Sequence, residues 1–457
     1  MTRLAGLTRV GATLSPALVF LVVYGSAAGH GFISDDFGWI VQSRVDSIAG
    51  AIDLFRTNHG FYRPLVSLSF ALNYALFGIH PQGYGWTNLL LALLCGVLLQ
   101  WLLKSLGLSR GAAWMGAVVW LLNFHGISMA VLWISGRTAL LLIAGALVAA
   151  IGAVRGAPAV ALGGFAFALW SKEEAILIPA IWAAMFLLKL VAPARARRTA
   201  IALAAGTCAV FVAYAFLRAQ SGAMTPSTAP SYYTLTFTPT LIARNVAEYA
   251  DRACTFAIAV TLIGWIALRP AASASPRTLL ALGAVWLAAG YAITIWIPSR
   301  SSLYACFPSV GAIIAASALW DGWWRGSTPR RQHTALIAAA VIPLLCTPIC
   351  IARNERWTRL ADFSQATLDF VRPHAQSAPP DTWIVLVDDR ARRVNVQSAF
   401  GSLLEDALLL WTGRAVKVWV DPPLTGAALA GLTGPCADCP RIRLAVSERA
   451  FERLDGR

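Results

Sequence analysis

The sequence predicts an α-helical polytopic membrane protein of about 11 transmembrane helices, followed by a small soluble C-terminal α/β domain. Of 457 residues, 58% are hydrophobic and only 13% charged, with a mean hydropathy of +0.63. Soluble domains carry about 25% charged residues. The apolar residues also come in blocks long enough to cross a bilayer, which needs about 20 residues per helix. Basic residues alternate with those blocks in a regular way.

The expected spans are 10–28, 86–106, 111–123, 137–154, 158–170, 175–191, 199–217, 254–268, 278–296, 303–320 and 334–351. Arg3 and Arg9 before the first apolar run resemble a signal peptide. No small-x-small cleavage site precedes the acidic pair beyond it, however, so the run reads as an uncleaved helix. With the N-terminus cytoplasmic, the inner segments hold Arg3, Arg9, Lys104, Arg110, Arg155 and a further nine basic residues. The short outer turns hold only Arg137, Lys172 and Arg300. Positive charge collects on the cytoplasmic side of membrane proteins, so fourteen against three fixes the expected orientation. This placement also accounts for the net charge of +15 without nucleic acid.

Two longer outer loops follow from that topology. The first, 29–85, carries Asp35, Asp36, His59 and Arg63, and its short apolar stretch 65–72 reads as a helix along the interface. The second, 218–252, is rich in Ser, Thr, Pro and Tyr. The transmembrane domain is expected over 1–351. Beyond Ile351 the composition becomes charged, and 352–457 reads as a periplasmic α/β domain with strands at 383–387, 416–420 and 442–446.

Polar clusters sit at the outer ends of the apolar runs: Ser34-Asp35-Asp36, Thr87-Asn88 and Ser171-Lys172-Glu173-Glu174. Adjacent carboxylates are costly next to hydrocarbon, so a pair at a membrane exit points to chemistry at that face. The plain alternatives are that Ser34-Asp35-Asp36 caps an interfacial helix and that Lys172 snorkels to the interface beside a glutamate.

The first loop resembles that of the GT-C glycosyltransferases, most closely the protein O-mannosyltransferases and their tetratricopeptide-repeat relatives. The resemblance rests on Asp35-Asp36, Phe61-Tyr62-Arg63-Pro64-Leu65, Leu72-Asn73-Tyr74-Ala75-Leu76-Phe77-Gly78 and Thr87-Asn88-Leu89-Leu90. Later come Trp133-Ile134-Ser135-Gly136-Arg137-Thr138, Ser171-Lys172-Glu173 and Tyr304 with Phe307-Pro308-Ser309-Val310-Gly311. The set covers roughly residues 10–350 in the family's order. The chain departs from the pattern at Met129, where those relatives carry Glu, at Ala139, where they carry an acid, and at Leu303, where an Arg precedes the tyrosine. No tetratricopeptide repeats follow the membrane part.

The resemblance implies an inverting transfer of a sugar from a polyprenyl-phosphate donor to an acceptor hydroxyl on a protein, lipid or glycan, at the periplasmic face of a bacterial inner membrane. Asp35 is then the base and Asp36 orients the acceptor. Lys172, Arg137, Arg63 and Arg300 bind the donor phosphate, with Glu173, Tyr304 and His59 in support. Such residue types fit the chemistry, because a carboxylate accepts the hydroxyl proton and cations steady a departing phosphate. No metal or cofactor is expected. The alternative is a non-catalytic protein that binds or transports a lipid-linked sugar on the same scaffold. No Lys follows a Gly, which excludes a Walker A loop, and no dinucleotide fingerprint occurs. In the tail, Cys436 and Cys439 read as a tight local disulfide in preference to a redox pair or half of a zinc site.

Overall fold

A computed structural model describes residues 17–57, 61–223, 233–268, 276–424, 434–436 and 438–454. Helices dominate, and among the described residues five are long and apolar enough to cross a membrane: Pro81–Ser105, Ile134–Val154, Pro193–Gln220, Pro239–Leu268 and Ser302–Arg325. Four shorter apolar helices accompany them, Ala17–Ala27, Pro64–Phe77, Pro158–Ser171 and Arg277–Tyr291. In its most apolar stretch, 94% of the residues of Ile134–Val154 are buried, against only 6% for the equally apolar Pro193–Gln220. An apolar helix with its sides uncovered is unfavourable in water, so its natural surroundings are lipid.

The Arg137–Val154 helix lies at the centre of the larger core and packs tightly on Pro158–Ser171. A Cβ at Gly145 would sit 2.7 Å from Gly164 O, and one at Gly164 would sit 2.5 Å from Ala149 N, so only glycine permits this approach.

Three segments differ from the sequence expectation. The second outer loop is shorter than 218–252, because the helix expected from residue 254 begins at Pro239. Pairing one turn apart, Arg252 with Glu248 at 3.1 Å and Thr255 with Asp251 at 2.7 Å, lets this polar stretch continue the helix outward. The segment expected as span 175–191 opens with a 3-10 turn, Glu173–Leu177, and its α-helix, Ile178–Leu187, is ten residues long, shorter than expected. The boundary expected at 351/352 falls inside one helix, Pro329–Ser377.

Beyond that helix the chain forms β1 (Trp383–Asp388), β2 (Lys417–Asp421), β3 (Arg441–Val446) and β4 (Phe451–Arg453). The sheet order is β2-β1-β3-β4, with β1 parallel to both neighbours and β4 antiparallel to β3. Helices Val396–Phe400 and Leu404–Thr412 fall between β1 and β2. Cys436 and Cys439 are joined by a disulfide.

A second core unites this sheet with the first outer loop. Phe32, Phe37, Trp39 and Phe70 share it with Phe400, Leu404, Trp411 and Leu444. Along the long helix, buried Ala361, Ser364, Leu368, Val371 and Ala375 recur at three- and four-residue spacing, so one face covers this core. His30 bonds Asp362 at 2.9 Å, adding a polar contact between loop and helix.

Candidate active site

The site starts at Ser34, whose positive φ of 51° turns the chain into the helix Asp35–Gln42. Its backbone N–H donates to Ala399 O in the C-terminal domain at 2.7 Å. Both acids occupy the first helical turn, where the helix dipole favours negative charge. Adjacent helical residues lie about 100° apart around the axis, so the two carboxylates part company.

Asp36 turns inward and is fully buried. It accepts hydrogen bonds from Ile33 N at 2.9 Å, Ser135 N at 2.7 Å and Ser135 Oγ at 2.5 Å. Burial pushes its carboxyl up to about 7, with the hydrogen bonds from Ser135 and Ile33 opposing the rise. Asp35 faces the other way, into a cavity of ≈ 260 Å³. Asp35 keeps solvent-exposed surface, but the protein around it desolvates the carboxyl and raises it above the usual range, opposed by the nearby charge of Arg63 and a hydrogen bond from Ser34.

Three cations line the same cavity: Arg63, Lys172 and Arg300. Arg63 caps the start of helix Pro64–Phe77 and grips Glu173 with Nε at 3.1 Å and Nη2 at 2.8 Å from Oε2. Burial disfavours the Arg63 guanidinium's charge, but Glu173 outweighs it and raises the pKa. In return Arg63 holds the Glu173 carboxyl below its ordinary value despite burial. Lys172 ends helix Pro158–Ser171, pairs with Glu174 at 2.6 Å and lies 5.3 Å from the centre of the Tyr304 ring. Arg300 pairs with Glu248. Each cation is therefore oriented by a glutamate, and among the described residues no ion pair engages Asp35.

Of the residues singled out in the sequence, Asp35, Arg63, Lys172, Arg300 and Tyr304 line this cavity. Glu173 orients Arg63 from beside it, and His59 lies outside the described residues. Two of the expected residues do not line the cavity. Asp36 has its carboxylate committed to Ile33 and Ser135, so it ties the loop to the turn at Ser135. Arg137 does not line the cavity. It is fully buried, donating to Asn88 Oδ1 at 3.1 Å, Ser69 O at 3.3 Å and Tyr84 O at 3.3 Å, with its guanidinium 4.3 Å from the centre of the Phe70 ring. Carbonyls and an aromatic face satisfy the charge, leaving no opening for a phosphate.

Asn88 in turn donates through Nδ2 to Ile134 O at 3.0 Å and Ala130 O at 3.2 Å. Asn88 thus fixes the turn that brings Trp133, Ser135 and Thr138 to the cavity wall, whereas Thr87 bonds Asn73 and Gly83 O. Sequence reasoning missed Glu248 as the partner of Arg300, and missed Trp39 and Phe61 as apolar walls. Glu248 had a visible signal, an acid four residues before Arg252 in a chain poor in charge. Among the described residues no cluster of three or more His, Cys, Asp or Glu side chains could hold a metal ion.

Neither the protein-family models nor the curated proteins include a match to this chain.

Proposed function

We propose that the protein is a GT-C-type glycosyltransferase of a bacterial inner membrane, with about 11 spans, a cytoplasmic N-terminus and a periplasmic C-terminal domain. It moves a sugar from a polyprenyl-phosphate donor to the hydroxyl of a protein, lipid or glycan acceptor. Asp35 takes the acceptor proton as the oxygen attacks the anomeric carbon. The bond from that carbon to the phosphate oxygen breaks, and polyprenyl phosphate leaves with the electron pair. Arg63, Lys172 and Arg300 stabilise the charge on the departing phosphate. The single displacement inverts the anomeric centre.

The observation that carries this reading is one carboxylate with no ion pair among the described residues, raised in pKa, facing three cations across a small cavity. A base of raised pKa beside oriented cations is the arrangement that proton removal and phosphate departure need. The resemblance of the first outer loop to the GT-C family supports the same conclusion. The test is transfer from a panel of polyprenyl-phosphate sugars by the purified protein, with Asp35→Asn as control. Wild-type turnover that is lost in the variant is expected.

A second reading, binding or transport of a lipid-linked sugar without catalysis, has one observation in its favour. Each cavity cation already holds a glutamate, which weakens its pull on a phosphate. That reading predicts donor binding with no transfer to any acceptor.

A further inference from the structure

A second and larger cavity, ≈ 760 Å³, opens where the long helix Pro329–Ser377 meets the C-terminal domain. Five arginines line it: Arg356 and Arg359 on the helix, Arg392 and Arg393 after β1, and Arg449 between β3 and β4. Two glutamates, Glu355 and Glu448, are the acids in its wall. Glu448 is engaged by Arg359 at 2.5 Å, and Arg392 pairs with Asp389 at 2.8 Å. Among the described residues no ion pair engages Arg356, Arg393 or Arg449, and all three are exposed.

The height of this cavity along the helix is informative. Leu345, Ile349 and Ile351 are exposed apolar side chains just before it. At about 1.5 Å rise per residue, Arg356 and Arg359 lie roughly 8 and 12 Å beyond Ile351. The polar headgroup layer occupies about 5–8 Å on each side of the hydrocarbon. Flexible arginine side chains reach that depth from either position.

We propose that this cavity binds the phosphate-bearing headgroup of an anionic membrane lipid. Guanidinium groups present paired N–H donors that match phosphate oxygens, and three of them converge here without an anionic partner. The volume exceeds what a lone phosphate ion fills, leaving room for the glycerol or sugar that a headgroup carries. The site seats the C-terminal domain on the membrane surface through a lipid bridge between the long helix and the sheet. It does not depend on sugar transfer at Asp35.

The test is native mass spectrometry of the purified full chain in detergent, titrated with phosphatidylglycerol, phosphatidylcholine or inorganic phosphate. Wild type is compared with the triple variant Arg356→Gln, Arg393→Gln, Arg449→Gln and with the matching triple Lys variant. The expected result is that phosphatidylglycerol binds wild type about tenfold or more tightly than the Gln variant. The Lys variant should retain much of that binding, and phosphatidylcholine should not distinguish the proteins. Equal phosphatidylglycerol binding by wild type and a Gln variant that elutes as a folded monodisperse species would overturn the proposal. Inorganic phosphate binding as tightly as the lipid would overturn it too, by making the ligand a free anion.

Discussion

Asp36 Oδ1 accepts hydrogen bonds from both the backbone and the hydroxyl of Ser135, tying the Asp35–Gln42 helix to the turn that opens the Ile134–Val154 segment. The tie joins the first outer loop to the most deeply buried helix of the membrane core. Asp35 is positioned by its neighbour's bonds, while its own carboxylate stays free of ion pairs in the cavity.

This tie makes stability depend on pH. The Asp36 carboxyl titrates near 7 in the folded protein and near 3.8 as an ordinary aspartate. Between those values the folded state holds a proton that the unfolded state has released. The stabilisation is therefore fully present below about pH 4 and is lost as the pH rises through about 7. Thermal unfolding in detergent from pH 4.5 to 8 should show the apparent melting temperature falling toward high pH. Asp36→Asn, which cannot ionise, should flatten that slope; an identical slope in the variant would assign it to other groups.

Asp35→Asn should reduce transfer by roughly 10²–10⁴-fold with little change in stability, because it removes the base and keeps the shape. Its raised pKa adds a kinetic signature. The low-pH limb of the kcat/KM profile should lie above the ordinary carboxylate range, with activity rising as Asp35 deprotonates. Wild-type rates in Asp35→Asn would remove this residue from the chemistry.

The acidic pair stood out in the sequence, because adjacent carboxylates after an apolar run are costly next to hydrocarbon. Its division of labour did not, since that depends on Ser135, ninety-nine residues away. Arg137 reads in the sequence as a phosphate-binding cation, and only its burial among Asn88, Ser69 and Tyr84 reveals hydrogen bonds that hold it inside the protein. The change of composition at Ile351 is real, yet it marks a change of surroundings and not a break in the chain. With neither Gly nor Pro between residues 349 and 372, nothing local stops the helix there.

Lys172 should matter more to turnover than to donor affinity, because the phosphate gains charge as it leaves. Lys172→Met keeps most of the stem and removes the ammonium, so kcat should fall clearly while donor affinity changes less. The pair with Glu174 is almost fully buried, and its loss leaves an uncompensated carboxylate, so some destabilisation should accompany the change. Unchanged turnover would return Lys172 to a purely structural part. Chelators should leave wild-type activity intact.

The C-terminal domain should support the site it touches. Phe400 stacks on Phe37 with ring centres 5.5 Å apart, both fully buried, and Ala399 O receives the Ser34 N–H. Phe400→Ala should destabilise this junction by about 3–5 kcal/mol, the usual cost of an emptied aromatic site. Limited proteolysis should then cut the first outer loop faster, and transfer should fall although Phe400 is distant in sequence from Asp35. Wild-type protection and activity together would show the domain to be independent of the site.

The orientation of the whole chain is open to direct measurement. The charge bias predicts that residue 198 lies in the cytoplasm and residue 457 in the periplasm, with an odd number of crossings before the C-terminal domain. Alkaline phosphatase folds to an active enzyme only outside the reducing cytoplasm, where its disulfides form. Fused after Arg457 it should be active, and fused after Arg198 inactive. The disulfide between Cys436 and Cys439 agrees with an oxidising compartment for the tail. The reverse pattern of activity would put Asp35, Lys172 and Arg300 on the cytoplasmic face, and with them the whole cavity. A donor presented at the periplasmic surface could not then reach it, and the proposed transfer would fail along with the orientation.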